Sequence, residues 1–113
     1  MSETYREMWL RREREADACR DAGERAFGEG KFERALACFA EAIRLNPHGA
    51  THYNNVAVVL HALGRDAEAW DFVLEALHRE VGLEAARENL LAIAGSVGRV
   101  EEAEELLGLF PGR

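Results

Sequence analysis

Apolar side chains recur along the chain at intervals of three and four residues, and no segment of useful length alternates apolar and polar positions. The clearest stretch has Phe32, Leu36, Phe39 and Ile43, with two alanines among them. In an α-helix such positions lie on one face, whereas a half-buried strand would show a period of two. The pattern therefore predicts helices, each with one face buried in a core.

Glycine and proline separate these apolar stretches. They fall at residues 28–30, 47–49, 64, 82, 95–98 and 111–112. The segments between them are long enough for helices of about three to four turns, and short loops place consecutive helices antiparallel.

A 34-residue repeat runs through the chain. The residues that recur at this interval are Gly30, Gly64 and Gly98; Ala35, Ala69 and Ala103; Phe39, Val73 and Leu107; and Asn55 and Asn89. Each glycine follows a predicted helix, where a left-handed backbone conformation is needed and a Cβ is costly. One hairpin cannot bury its apolar face alone, so the repeat predicts hairpins that stack.

The first copy of the repeat has Gly23, Gly30, Phe39, Ala42 and Pro47. With these residues the chain resembles the tetratricopeptide repeat (TPR) family, whose unit is a helix–turn–helix of about 34 residues. The resemblance implies an all-α fold, a right-handed α-α superhelix (TPR solenoid) of three helix-turn-helix hairpins plus an N-terminal helical segment. It divides the single domain, residues 1–113, into an extension at 1–15 and repeats at 16–49, 50–83 and 84–113, the last with a truncated second helix.

The N-terminal segment contains good helix formers and has no glycine or proline before the first repeat. We therefore expect one long helix from about Glu3 to Phe27, with Ser2 as its N-cap. The alternative is that residues 2–15 form a separate helix, the remnant of a preceding repeat.

Side chains on the first helix of each unit line a concave groove in this family. The resemblance places Arg20, Asn54, Asn55, His61 and Asn89 in that groove. Asn55 and Asn89 match the asparagines with which the family holds the backbone of an extended peptide, because an amide both donates and accepts hydrogen bonds. The resemblance thus implies a non-enzymatic module that binds a partner peptide or helix in its groove.

The family's clamp for a terminal carboxylate is largely missing. Glu24 stands where an asparagine is expected, and Ala85 and Asn89 stand where basic residues are expected. Asp17 and Asp21 add further negative charge. We therefore expect a protein or peptide partner that is basic or neutral rather than acidic.

The formal net charge is −7, and residues 50–113 carry −6 of it. This balance argues against nucleic acid and against an anionic membrane as partners. Four glutamates between residues 101 and 105 either favour the start of the last helix through its dipole or form a docking patch for a basic partner.

Both ends of the chain carry large apolar side chains, at Tyr5, Trp9, Leu106 and Phe110. A repeat protein normally covers its last apolar face with a polar helix. The alternative function is therefore a structural module that forms homo-oligomers through these residues. The other interpretation is that Trp9 folds back on the first repeat.

The sequence offers no catalytic motif and implies no cofactor, so we expect that the protein is not an enzyme. His48 and His52 have a spacing that suits a shared metal, but no further ligand completes a zinc motif. Cys19 and Cys38 are interpreted as buried apolar residues. We expect a cytoplasmic location, because the sequence has two cysteines, no signal segment and no long apolar run. The sequence has 13 arginines and one lysine, which suggests a GC-rich bacterial source.

Overall fold

The structure is a computed structural model that describes residues 2–109. Over this range the fold is all-α, with six helices and no strand. The helices are α1 (Tyr5–Gly28), α2 (Phe32–Leu45), α3 (Ala50–Ala62), α4 (Asp66–Arg79), α5 (Glu84–Val97) and α6 (Val100–Leu109). The helical fold predicted from the apolar spacing is confirmed.

The two helices of each hairpin, α1–α2, α3–α4 and α5–α6, are joined by a turn whose glycine has a positive φ. The angle is +77° at Gly30, +79° at Gly64 and +71° at Gly98. The residue after Gly30 donates its backbone N–H to the carbonyl of Ala26 at 2.8 Å, and the residue after Gly64 does the same to Leu60 at 2.8 Å. These bonds satisfy carbonyls that a helix end leaves open. The role that the repeat predicts for these glycines is confirmed.

The chain divides into two compact units, one up to His48 and one from Gly49. The first unit is the α1–α2 hairpin. Its buried residues are mostly small, and they are Ala16, Gly23, Ala26, Ala35, Phe39 and Ala42. Small side chains let the two helices approach closely, and Phe39 packs directly over Gly23.

The second unit contains α3 to α6. Helix α4 packs on α3 and on α5, α6 packs on α5, and α3 also contacts α5. The largest fully buried side chains are Val56, Val59, Val73, Leu77, Leu90 and Ile93. Each such side chain stabilises the fold by about 1.5–3 kcal/mol relative to an exposed position. The contact between α3 and α5 places the asparagines of these two helices together.

Helix α1 is continuous from Tyr5 to Gly28, which confirms the single long N-terminal helix. The prediction that Ser2 caps it is wrong. Thr4 is the N-cap: its Oγ1 accepts from the Glu7 backbone N–H at 3.1 Å, and Glu7 Oε1 accepts from the Thr4 backbone N–H at 2.9 Å. Thr4 has a glutamate three residues later and so forms a capping box, whereas Ser2 has Tyr5 at that position.

The two cysteines are half-buried free thiols, so the prediction that they are buried is wrong. The closest part of the α1–α2 packing is occupied by alanine, Gly23 and Phe39, and the cysteines are left beside it. Partial burial still raises the pKa of the Cys19 thiol, because the thiolate is poorly solvated there.

Candidate functional site

Asn54 and Asn89 are hydrogen-bonded to each other across α3 and α5. The Asn89 Nδ2 donates to the Asn54 Oδ1 at 3.0 Å. Asn54 is 5% exposed and Asn89 is half-buried. The bond satisfies a polar atom in the packed interface between two helices, and the second side chain still reaches solvent. The structure therefore brings together two of the five residues predicted for the groove.

Asn55 has an unusual environment for an amide. Its Nδ2 is buried and has no hydrogen-bond partner within residues 2–109, although the residue as a whole is half-buried. An unsatisfied buried donor costs about 1–3 kcal/mol. Rotation about χ2 exchanges the two amide atoms, so the donor can be turned toward the position that Oδ1 now occupies. Asn55 follows Asn54 on α3, so this helix carries a buried amide donor without an acceptor in the described chain.

His61 lies two turns along α3 from Asn54 and is directed to a different partner. Its Nδ1 contacts the Asp66 Oδ1, on the first residue of α4. His61 is exposed and Asp66 is half-buried. This pair connects the end of one helix to the start of the next, across the turn that contains Gly64.

Arg20 lies on α1 in the first unit and is half-buried. Its guanidinium is 3.3 Å from Asp17 and 3.5 Å from Asp21. Two carboxylates against one guanidinium leave this part of α1 negative. The charge of Arg20 is therefore compensated within α1.

The residues predicted for self-association differ widely in exposure. Tyr5 is 82% exposed and Trp9 is 45% exposed. The Trp9 ring also packs against the His48 ring of the same unit, with 5.8 Å between centroids, so it is partly folded back on the first hairpin. Leu106 is half-buried, and Phe110 lies outside the described residues.

Two arginine–aromatic contacts and one cleft in the second unit were missed by the sequence analysis. The guanidinium carbon of Arg79 lies 4.0 Å from the centroid of the Tyr53 ring, and that of Arg99 lies 5.0 Å from the centroid of the Trp70 ring. A cleft between α4 and α6 is lined by Asp71, Leu74, Glu75, His78 and Leu106. Of the residues that line the cleft, the sequence analysis singled out Leu106 alone and assigned it to self-association at the chain end.

In the part of the chain described, no three histidine, cysteine or acidic side chains are grouped so that they would hold a metal ion. Among the six helices, none combines the length and the apolar character needed to cross a bilayer.

Several known proteins are similar to this chain. The thioredoxin TTL4 of Arabidopsis thaliana, which contains TPR repeats, is 29% identical over 93 residues, and the match covers 82% of this chain but only 14% of that protein. The second TPR of Spaghetti (RPAP3), solved with the HSP90 peptide SRMEEVD, superposes with a TM-score of 0.81 at 23% identity, over 91% of this chain and 97% of that one. The Arabidopsis OM64 TPR domain gives a TM-score of 0.79 at 22% identity, over 83% and 78% of the two chains.

The family model described as tetratricopeptide repeat matches residues 20–85. This range contains the turn glycines Gly30 and Gly64 and both helices of the second repeat. The resemblance drawn from the 34-residue spacing is therefore confirmed, and the chain belongs to the tetratricopeptide repeat family.

Proposed function

We propose that this chain is a non-enzymatic protein-interaction module that holds an extended segment of a partner protein on the face formed by α3 and α5. The observation that carries the proposal is the set of three asparagines that α3 and α5 contribute, two of them joined across the helices. Asn54 and Asn89 are paired with each other, and the adjacent Asn55 has a donor without an acceptor in the described chain. The half-buried, free cysteines are compatible with the cytoplasmic location that we also propose.

Amide side chains suit the backbone of an extended peptide. Such a peptide has N–H and C=O groups without intramolecular partners, and an asparagine pairs with either group whatever the peptide sequence. Each neutral hydrogen bond contributes about 0.5–1.5 kcal/mol. Two such bonds give the backbone part of the affinity, and the remainder must come from side chains.

The charge around these residues favours a neutral or basic segment. The exposed Glu88 precedes Asn89 on α5, and the repeats at 50–83 and 84–113 each carry a net charge of −3. The RPAP3 domain was solved with the acidic peptide SRMEEVD. In this chain Glu24 stands where the family's carboxylate clamp has an asparagine, and Ala85 stands where it has a basic residue. These two differences support weaker binding of that peptide to this chain.

The proposed role of the asparagine side chains is tested by measuring peptide binding. A peptide array first selects extended sequences that bind the wild-type chain, and fluorescence anisotropy then measures their affinity for the Asn55→Ala and Asn89→Ala variants. We expect each substitution to weaken binding about 2- to 12-fold, which corresponds to one neutral hydrogen bond. Asn46→Ala is the matched control, because Asn46 is the one asparagine of the sequence outside α3 and α5 and lies at the end of α2. Equal affinity of the wild type and the Asn55→Ala, Asn89→Ala double variant would overturn the proposal.

The charge preference is tested with two peptides of equal length. One is SRMEEVD, and the other replaces its three acidic residues with lysine. We expect the lysine peptide to bind at least several-fold more tightly at low salt and the difference to shrink as salt rises. Tighter binding of SRMEEVD would contradict the proposed preference.

A second candidate function is self-association, and the exposure of Tyr5 and Trp9 favours it. Two aromatic rings one turn apart on α1 present more apolar surface than a free helix end normally does. Light scattering coupled to gel filtration, on the wild type and on Trp9→Asp, tests this candidate. Self-association predicts that the molar mass of the wild type exceeds that of one chain and that the mass is lower in the variant. A monomer in both samples would exclude self-association.

A further inference from the structure

The second unit has a cleft that is separate from the asparagines. It lies between α4 and α6, the second helices of consecutive hairpins, and is lined by Asp71, Leu74, Glu75, His78 and Leu106. We call it the α4–α6 cleft. None of its lining residues is on α3 or α5, so an occupant of this cleft contacts a different set of side chains from the peptide of the proposed function.

The size of the α4–α6 cleft points to a protein side chain rather than a small molecule. Its volume is about 260 Å³, below the range of about 300–1,000 Å³ that is usual for ligand pockets. Leu74 and Leu106 are half-buried, one from each helix. The cleft therefore has an apolar floor that one or two large aliphatic side chains would fill.

The rim of the cleft is acidic. Asp71 and Glu75 are one turn apart on α4, and both reach solvent. Arg79 partly neutralises Glu75: its Nη1 is 3.3 and 3.4 Å from the two carboxylate oxygens, and it also donates to the Glu75 backbone carbonyl at 3.1 Å. Asp71 has no ion pair within residues 2–109, so a negative charge at this rim is left for a partner's cation.

The chemistry of the lining also selects the conformation of the occupant. The cleft has carboxylates, an imidazole and leucines but no amide, and the backbone groups of the two helices that form it are already paired within those helices. An extended peptide would leave its own backbone unpaired here, whereas a helix brings its backbone bonds with it. A groove between two helices also accepts the side-chain ridges of a third.

We propose that the α4–α6 cleft binds a basic amphipathic helix of a partner protein. Aliphatic side chains of that helix contact Leu74 and Leu106, and a lysine or arginine beside them pairs with Asp71. This surface is independent of the α3–α5 face, so the chain would hold two segments by two different kinds of contact.

The test uses a fluorescein-labelled peptide of about 14 residues, roughly four helical turns, with leucine on one face and lysine on the other. Fluorescence anisotropy should show that Asp71→Asn weakens binding about 2- to 5-fold, as expected for one exposed ion pair. Leu106→Ala should weaken it about tenfold, because part of the apolar floor is lost. Far-ultraviolet circular dichroism confirms that each variant remains folded.

Glu101→Gln is the matched charge control, because Glu101 is exposed on the first turn of α6 and does not line the cleft. It should leave the affinity of the peptide unchanged, because its charge does not face the cleft. Asn55→Ala should also leave this peptide unaffected, which separates the result from that of the proposed function.

Amide chemical shifts in a nuclear magnetic resonance titration then locate the peptide. Changes grouped on α4 and α6 support the proposal, and changes grouped on α3 and α5 overturn it. Equal binding of a peptide with the same composition but scrambled leucine and lysine positions also overturns it, because that outcome is nonspecific attraction. A fall in molar mass caused by Leu106→Ala would show a second copy of the chain in the cleft and would overturn it as well.

Discussion

Gly23 on α1 lies directly against the Phe39 ring of α2 in the first unit. A Cβ added to Gly23 would lie 2.6 Å from Cε1 and 2.7 Å from Cδ1 of the Phe39 ring. Atoms this close repel strongly, and the ring is 3% exposed, so it has little space to move. The glycine in the middle of α1 is explained by this close approach rather than by the backbone conformation.

The substitution Gly23→Ala is expected to destabilise the protein, although alanine is the better helix former. Overpacking of a core costs about 1–3 kcal/mol, and the gain in helix propensity is about 1 kcal/mol. We expect a net loss of up to about 2 kcal/mol in the free energy of unfolding, measured by urea denaturation. Phe39→Leu should relieve part of this loss when the two substitutions are combined, and the double-mutant cycle measures the coupling.

Gly95→Ala is the matched control for this prediction. Gly95 is exposed within α5, and apart from its chain neighbours and the adjacent backbone of that helix nothing described lies within 4 Å of the position that its Cβ would take. Alanine should therefore stabilise this helix by up to about 1 kcal/mol. A Gly23→Ala variant that is as stable as Gly95→Ala would show that the ring adjusts without cost.

For individual residues, the 34-residue spacing predicted the place of a side chain along its helix better than it predicted which residue that side chain contacts. The 34-residue interval related Asn55 to Asn89, but it gave no indication that Asn89 would bond to Asn54 instead. That pairing depends on the packing of α3 on α5, which no local pattern encodes. The Asp66 partner of His61 is likewise set by the turn at Gly64, which brings a helix end and a helix start together.

At the scale of the helix, the start of α1 shows how local chemistry selects one cap from two candidates. Ser2 and Thr4 both have hydroxyl groups that suit an N-cap. Only Thr4 has a glutamate three residues later, and Glu7 returns a bond to the Thr4 backbone. The sequence contains this signal, whereas a hydroxyl group alone does not distinguish Ser2 from Thr4.

Thr4→Ala is expected to destabilise α1. The substitution removes the acceptor for the Glu7 N–H and should cost about 0.5–2 kcal/mol, the usual effect of losing an N-cap side chain. Thermal unfolding followed by circular dichroism measures the loss, and hydrogen exchange at the first turn of α1 shows whether it is local. Ser2→Ala should have no effect, and the reverse order of the two variants would contradict the cap seen here.

The helices themselves were predictable because three- and four-residue spacing and turn glycines agree along the chain. The burial of Cys19 and Cys38 was not, because both lie beside the closest approach of α1 and α2, and spacing does not resolve neighbouring positions on a helix face. Family membership followed from three in-register copies. The repeat pattern carries no information about a partner. The α4–α6 cleft depends on how α4 and α6 lie relative to each other, which local spacing does not encode.

In both units, exposed ion pairs and the cap of α1 give several carboxylates a lowered pKa. In each case a hydrogen bond from a nearby group favours the charged form: the guanidinium of Arg11, Arg44 or Arg65, the ammonium of Lys31, or the backbone of Thr4. The affected residues are Glu3, Glu41, Glu68, Glu29 and Glu7. They lie in both units, so their effect on stability belongs to the chain as a whole.

Stability is therefore expected to fall in acid. A carboxylate with a lowered pKa in the folded state binds protons less readily than in the unfolded state, so its contribution is fully present above about pH 4.3 and is lost as the pH falls through the folded value. The thermal midpoint, measured by circular dichroism, should be nearly constant from about pH 7 to 5 and should decrease below about pH 4. A midpoint that stays constant or rises between about pH 5 and 3 would contradict this expectation.

The two tryptophans of the chain lie one in each unit, in contrasting surroundings. Trp9 is partly exposed beside the imidazole of His48, whereas Trp70 is 2% exposed beneath the guanidinium of Arg99. Indole emission shifts to longer wavelength in water and is quenched by a protonated imidazole. Each unit thus carries its own fluorescent reporter, and Trp9→Phe and Trp70→Phe variants would let the unfolding of the two units be followed separately without any added label.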